Sequence, residues 1–174
     1  MSKIERLLPF AASAAVFALD RVTKLAIRGR MTPWDSYTVI PGLFNIVHTE
    51  NRGAAFGLFA DSSSPVRTIL LIALALAVML FITALLIQPW RGGLAPTLFL
   101  RIGLALVLGG AMGNVYDRVV RSAVTDFLEF YWGSYVFPTF NVADSAITTG
   151  AGLLLLDMWR GRRRQEEPNA SQPQ

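Results

Sequence analysis

The chain has 174 residues, of which 53% are hydrophobic and only 16% charged, with a mean hydropathy of +0.44. Soluble domains carry about 25% charged residues, so an ordinary water-soluble globule is excluded. The formal charge of +4 is what basic flanks around membrane segments produce and requires no nucleic acid, and the absence of cysteine excludes disulfides, thiolate metal sites and a cysteine nucleophile.

The first apolar run extends from Leu7 to Ile27, preceded by Lys3 and Arg6 and interrupted by Asp20, Arg21 and Lys24. Cleavage after Ala12-Ser13-Ala14, as in a secretory signal, would leave an apolar region of about 5 residues, short of the usual 7–15. It therefore reads as a retained span. The polar segment Arg28 to Pro65 contains β-branched and aromatic residues around Pro41-Gly42, between Tyr37 and His48, which predicts a hairpin and a small sheet at the membrane surface. His48, without a second histidine to share a metal, reads as a surface residue of that hairpin.

A second run, Val66 to Ile87, has no ionisable residue after Arg67 and is followed by Pro89, Arg91, Gly92 and Gly93. The third covers 94–113, with Arg101 near enough to its start to reach the interface. Between it and the fourth run, Val115 to Thr139 is rich in aromatics of the kind that favour the interface. The fourth covers 140–159 and ends in Arg160-Gly161-Arg162-Arg163-Arg164. Residues 1–164 thus read as one membrane-embedded domain with four spanning helices, and 165–174 as a disordered tail. Arginines clustered at the end of the last span, with Lys3 and Arg6 at the start of the first, argue for both termini in the cytoplasm.

An ionisable group beside a spanning segment costs roughly 2.5–3.5 kcal/mol unless it is paired, so each one calls for a reason. Asp20 and Lys24 stand at i and i+4, where opposite charges meet on one helical face. Asn114, Asp117 and Arg118 repeat the theme just beyond the third span and read as a structural clasp. Asp126 and Asp144 differ, since neither has a cation within four residues. Gly133 and Pro138 lie between them and allow the chain to turn back. Two carboxyls brought together share one proton, the requirement of an aspartyl hydrolase. Helix capping by Asp144 explains one member without chemistry, and both readings stay open on spacing alone. Gly109 and Gly113 suit close helix packing, and no Gly-x-Ser-x-Gly elbow exists for a serine hydrolase. A small ion-coupled transporter with acids as a proton relay is the alternative class.

In order, the chain contains Asp20-Arg-Val-Thr-Lys24, Asn51-Arg-Gly-Ala-Ala-Phe-Gly57, Gly109-Gly-Ala-Met-Gly-Asn-Val-Tyr-Asp-Arg118, Val124-Thr-Asp-Phe127 and Phe140-Asn-Val-Ala-Asp-Ser145. This series resembles the lipoprotein signal peptidase (signal peptidase II) family of bacterial inner membranes. The resemblance implies an aspartyl endopeptidase that removes signal peptides from prolipoproteins just before a diacylglyceryl-modified cysteine. It implies Asp126 and Asp144 as the catalytic pair and Asn51 and Arg118 as holders of the substrate backbone. Asp20, Lys24, Gly53, Asn114, Asp117 and Asn141 become supports of the site. An extracytoplasmic β-cradle, a short interfacial helix, an active site near the outer leaflet, a monomer, and no metal or other cofactor are further implications.

Overall fold

The computed structural model describes residues 3–53, 65–88 and 96–166. Residues 54–57 of the second motif, the Pro89 to Gly93 boundary and positions 167–174 of the tail lie outside the described residues. The elements follow the order α1 (Lys3–Arg30), β1 (Ser36–Ile40), β2 (Phe44–Asn51), α2 (Pro65–Ile87), α3 (Leu98–Arg121), β3 (Val124–Trp132), β4 (Tyr135–Val136) and α4 (Val142–Glu166). Among the described residues these four helices have no shorter companion, so the interfacial helix has no counterpart there.

α3 is the central helix, packed most extensively on α4, then on α1 and least on α2. Glycine makes the close approach possible. A methyl group at Gly109 would lie 2.5 Å from Ser13 O of α1, and one at Gly110 would collide with Ala143 O of α4. Gly103 and Gly150 face one another in the same way, each within 2.9 Å of the other's carbonyl oxygen if a methyl were added. Small residues of this kind let helix backbones touch where lipid offers no hydrophobic force to bring them together.

α2 matches the expected second span, and α2 and α3 are both long and apolar enough to cross a membrane. α2 is the outlying helix, and only 6% of its apolar window is buried. Ile69, Leu70, Leu74, Leu80 and Phe81 are exposed along it, a surface that water does not tolerate and lipid does. α1 and α4 have 28 and 25 residues, about 42 and 37 Å at 1.5 Å per residue. Their charges lower the average hydropathy, yet Asp20 and Lys24 are completely buried while Leu7, Leu19, Val22 and Leu25 face outward.

Both ends of α3 and of α4 differ from the sequence expectation. α3 begins at Leu98 instead of 94, because the Thr97 hydroxyl accepts from Leu100 N (3.1 Å) as an N-cap. It continues through Asn114, Asp117 and Arg118 to Arg121, where Ser122 adopts a left-handed φ of 60° and its N–H returns to Arg118 O. α4 starts at Val142, two residues later than expected, and runs on through the arginine cluster to Glu166, so 165 and 166 are helical.

The hairpin of β1 and β2 is present, with Gly42 at φ 80° in its turn. The sheet has the order β1-β2-β3-β4, antiparallel throughout. β3, nine residues long, arises within the segment that was read as interfacial aromatics. A register shift between Ile46 and Thr49 interrupts the β2–β3 ladder and sets Thr49 opposite Asp126.

Candidate active site

The N-terminus of α4 carries the first carboxylate. Asn141 Oδ1 accepts from Asp144 N (2.9 Å), and Asp144 Oδ2 accepts from Asn141 N (3.1 Å). This reciprocal pair satisfies two of the free N–H groups at a helix start. A third, Ala143 N, donates to Asp20 Oδ1 of α1 (3.0 Å). The capping role foreseen for Asp144 is therefore real, but it uses only one oxygen. Oδ1 accepts from Asn114 Nδ2 at 2.8 Å.

β3 delivers the second carboxylate. Phe127 N and Leu128 N both donate to Phe140 O (3.0 and 2.8 Å), and Phe140 N donates to Leu128 O (3.1 Å). The strand is thus pinned to the residue that precedes the cap of α4. As a result one asparagine serves both acids: Asn141 Nδ2 donates to Asp126 Oδ1 at 2.7 Å while its backbone N–H holds Asp144. Asn51, the last residue of β2, donates from Nδ2 to Asp126 Oδ2 (3.0 Å), its own Oδ1 being held by Gly53 N (2.8 Å).

Both carboxylates line one cavity of about 630 Å³, together with Asn51, Asn114, Arg118 and the apolar Phe137, Phe140 and Ile147. Ligand sites fall in the range of about 300–1,000 Å³. Arg118 donates from Nη2 to Gly53 O (3.0 Å), which fixes the guanidinium at the cavity wall. Among the described residues no cation comes within ion-pair distance of Asp126 or Asp144. Burial first, then the charge of Asp144, push the Asp126 carboxyl up from 3.8 to about 7, against the hydrogen bonds from Asn51 and Asn141 and the charge of Lys24. A carboxyl with that value exchanges its proton near neutral pH, the property needed of a general acid or base.

Behind the cavity lies a second polar group with the opposite character. Lys24 is fully buried, with Nζ 2.8 Å from Asp20 Oδ2, 3.0 Å from Asp117 Oδ2 and 3.1 Å from Asn114 Oδ1. Asp117 also pairs with Arg21 (2.5 Å) and Arg28 (3.7 Å). Gly113 leaves room for Asp20, since a methyl there would strike its carboxylate.

Every residue singled out from the sequence for the site belongs to one of these two groups: Asn51, Gly53, Arg118, Asp126, Asn141 and Asp144 around the cavity, Asp20, Lys24 and Asp117 behind it, and Asn114 between them. Missed were Arg21 and Arg28, although with Lys24 they form a stripe at i, i+3 and i+7 that marks one helical face. Thr125 was missed too; it accepts from Arg28 Nη1 (2.9 Å) and donates to Glu50 Oε1 (3.2 Å). His48 is a correction. It is buried, 4% exposed, with Nδ1 on Met31 O (2.9 Å) and Nε2 on Glu50 Oε1 (3.1 Å), because the sheet folds its hairpin back onto the end of α1. Among the described residues no group of three His, Cys, Asp or Glu side chains is placed to hold a metal ion.

Comparison with known proteins agrees with this arrangement. The family described as Signal peptidase (SPase) II matches residues 12–160. Curated proteins named lipoprotein signal peptidase are similar to the chain: 48% identity in Solibacter usitatus over 89% of this chain and 92% of that protein, 40% in Maridesulfovibrio salexigens over 86% and 94%, and 42% in Pseudomonas aeruginosa over 87% of each. A solved bacterial membrane enzyme superposes with a TM-score of 0.79 at 29% identity over 92% of both chains, and another with 0.74 at 28% identity over 87% of this chain and 92% of that one. The transporter alternative finds no support among these matches. With the matched region running from α1 through α4, the chain belongs to the signal peptidase II family of proteases.

Proposed function

We propose that the protein is a membrane-embedded aspartyl endopeptidase that removes signal peptides from prolipoproteins, with Asp126 and Asp144 as its catalytic pair. The observation that carries the assignment of the pair is the convergence of both carboxylates on Asn141, at the wall of a single cavity. Asp126, with its carboxyl raised to about 7, holds the shared proton below that pH, and Asp144 acts as the base. Water attacks the scissile carbonyl and gives a proton to Asp144, while Asp126 protonates the amide as the carbon–nitrogen bond opens. Arg118 and Asn51 hold the peptide backbone extended, with donors already fixed from behind by Gly53.

All four helices cross the bilayer in this reading. Residues 1–164 form the membrane-embedded domain, with both termini cytoplasmic, the tail beyond it on the same side, and the site near the outer leaflet. The exposed Trp34, just before β1, and Tyr37, Trp132 and Tyr135 of the sheet support an interfacial position for it. A substrate carrying a diacylglyceryl group on the cysteine after the scissile bond reaches the cavity sideways through lipid, its acyl chains never leaving an apolar environment. The enzyme acts as a monomer and binds no nucleic acid.

The test is cleavage of a lipidated prolipoprotein by purified Asp126→Asn and Asp144→Asn. Each should lose at least about 10³-fold in turnover, with Asp126→Asn melting at or above the wild-type temperature and Asp144→Asn still melting cooperatively. Turnover within 10-fold of wild type in either variant refutes the pair.

A further inference from the structure

Three asparagines meet the catalytic carboxylates, and each presents its amide nitrogen. An asparagine side chain can be turned over to present oxygen instead, so something must fix which end faces the acid. For two of the three a backbone N–H does this. Gly53 N holds Asn51 Oδ1, and Asp144 N holds Asn141 Oδ1. Among the described residues no backbone donor reaches Asn114 Oδ1. Its partners are Lys24 Nζ at 3.1 Å and Asn141 Nδ2 at 3.3 Å, the latter already engaged more closely with Asp126 at 2.7 Å.

We propose that Lys24 is a positioning residue whose ammonium fixes the polarity of the Asn114 amide, so that Nδ2 and never Oδ1 meets Asp144. An ammonium has three donors and no acceptor, and Nζ lies against three oxygens, those of Asp20, Asp117 and Asn114. Turning the Asn114 amide over would place N–H against N–H at Lys24 and oxygen against oxygen at Asp144. Both contacts are repulsive, most of all at Lys24, which is fully buried. Lys24 is therefore coupled to the reacting base through one amide, without touching substrate. Lys24, Asn114 and Asp144 lie on α1, α3 and α4, so the central helix also carries this relay. This inference rests on Asp144 being catalytic.

Two variants test it, with cleavage of a lipidated prolipoprotein as the readout. Asn114→Asp retains an oxygen for Lys24 and the side-chain shape but removes the N–H offered to Asp144. The expected result is a fall in kcat of at least 100-fold with KM within threefold, in protein that still melts cooperatively. The double variant Asp20→Asn with Lys24→Met removes the ammonium together with one of its balancing charges. There kcat should fall at least tenfold, again with KM unchanged. A purely structural Lys24 instead predicts that any folded variant keeps the wild-type kcat. Wild-type kcat in Asn114→Asp overturns the inference whether or not the double variant folds. If Asp144→Asn is inactive while Asn114→Asp is fully active, only this inference falls; if Asp144→Asn is active, the reading of the catalytic pair falls with it.

Discussion

Two polar groups lie side by side at the same end of the helices, and they solve the problem of charge in an apolar protein in opposite ways. Behind α3, Asp20, Arg21, Lys24, Arg28 and Asp117 neutralise one another within ion-pair distance. Across α3, Asp126 and Asp144 receive only neutral N–H donors and open onto a cavity. Charges that are matched brace the helices. Asp126, hydrogen-bonded but unmatched, is left able to exchange a proton near neutral pH. What separates the brace from the proposed catalytic pair is the presence of a counter-charge, and burial alone does not distinguish them, since Asp20 and Asp126 are 0% and 1% exposed.

The comparison breaks if the brace can be unmatched without harm. Lys24→Met strands Asp20 and weakens the balance at Asp117, and removing one partner of a buried pair destabilises by about 3–5 kcal/mol. Chemical denaturation in detergent should register that loss, and a loss below about 1 kcal/mol would mean that the cluster is wet and braces nothing.

A pH series sharpens the other half. Asp126 binds its proton more tightly in the folded protein, at about 7, than at the unfolded value of 3.8. Between those two values the native state holds more protons than the unfolded one, so stability falls as pH rises through that window and levels off above about 7. The amount is on the order of a few kcal/mol. Asp126→Asn should lack this contribution and melt at a higher temperature than wild type at pH 8; parallel melting curves for the two proteins from pH 5 to 8 would contradict the assigned strain. Activity should decline as pH rises past the same point, as Asp126 loses the proton it donates.

A smaller effect tests the wall between the groups. Gly113→Ala places a methyl against the Asp20 carboxylate, and overpacking of this kind destabilises by about 1–3 kcal/mol. Because Asp20 Oδ1 also holds Ala143 N at the start of α4, the variant should lose turnover along with stability. Unchanged melting in thermal scans would show that α1 can shift freely, and that the close packing does not fix the site.

Much of this was legible in the sequence, unevenly. α2 was plain because an uninterrupted apolar stretch needs no partner to explain it. α3 was cut short at 113 because Asn114, Asp117 and Arg118 look like an exit to water, whereas in the fold the first two turn inward to Lys24 and the third to Gly53. β3 escaped notice because its residues fade from buried to exposed along the strand without the alternation of period two that marks one in sequence. Seven aromatics in 25 residues drew the reading toward the interface instead. His48 was misplaced because its partners, Met31 O and Glu50, come together only once the hairpin packs on the end of α1.

By itself the sequence determined which residues were candidates for chemistry: ordered motifs named the acids and asparagines, and the lack of nearby cations set Asp126 and Asp144 apart from Asp20 and Asp117. The tertiary structure alone decided which way each amide points and which carboxylate meets a counter-charge. Those outcomes depend on distances of about 3 Å between groups up to 123 positions apart in the chain, and one-dimensional spacing carries no information about hydrogen-bond direction across helices that meet only when their glycines touch.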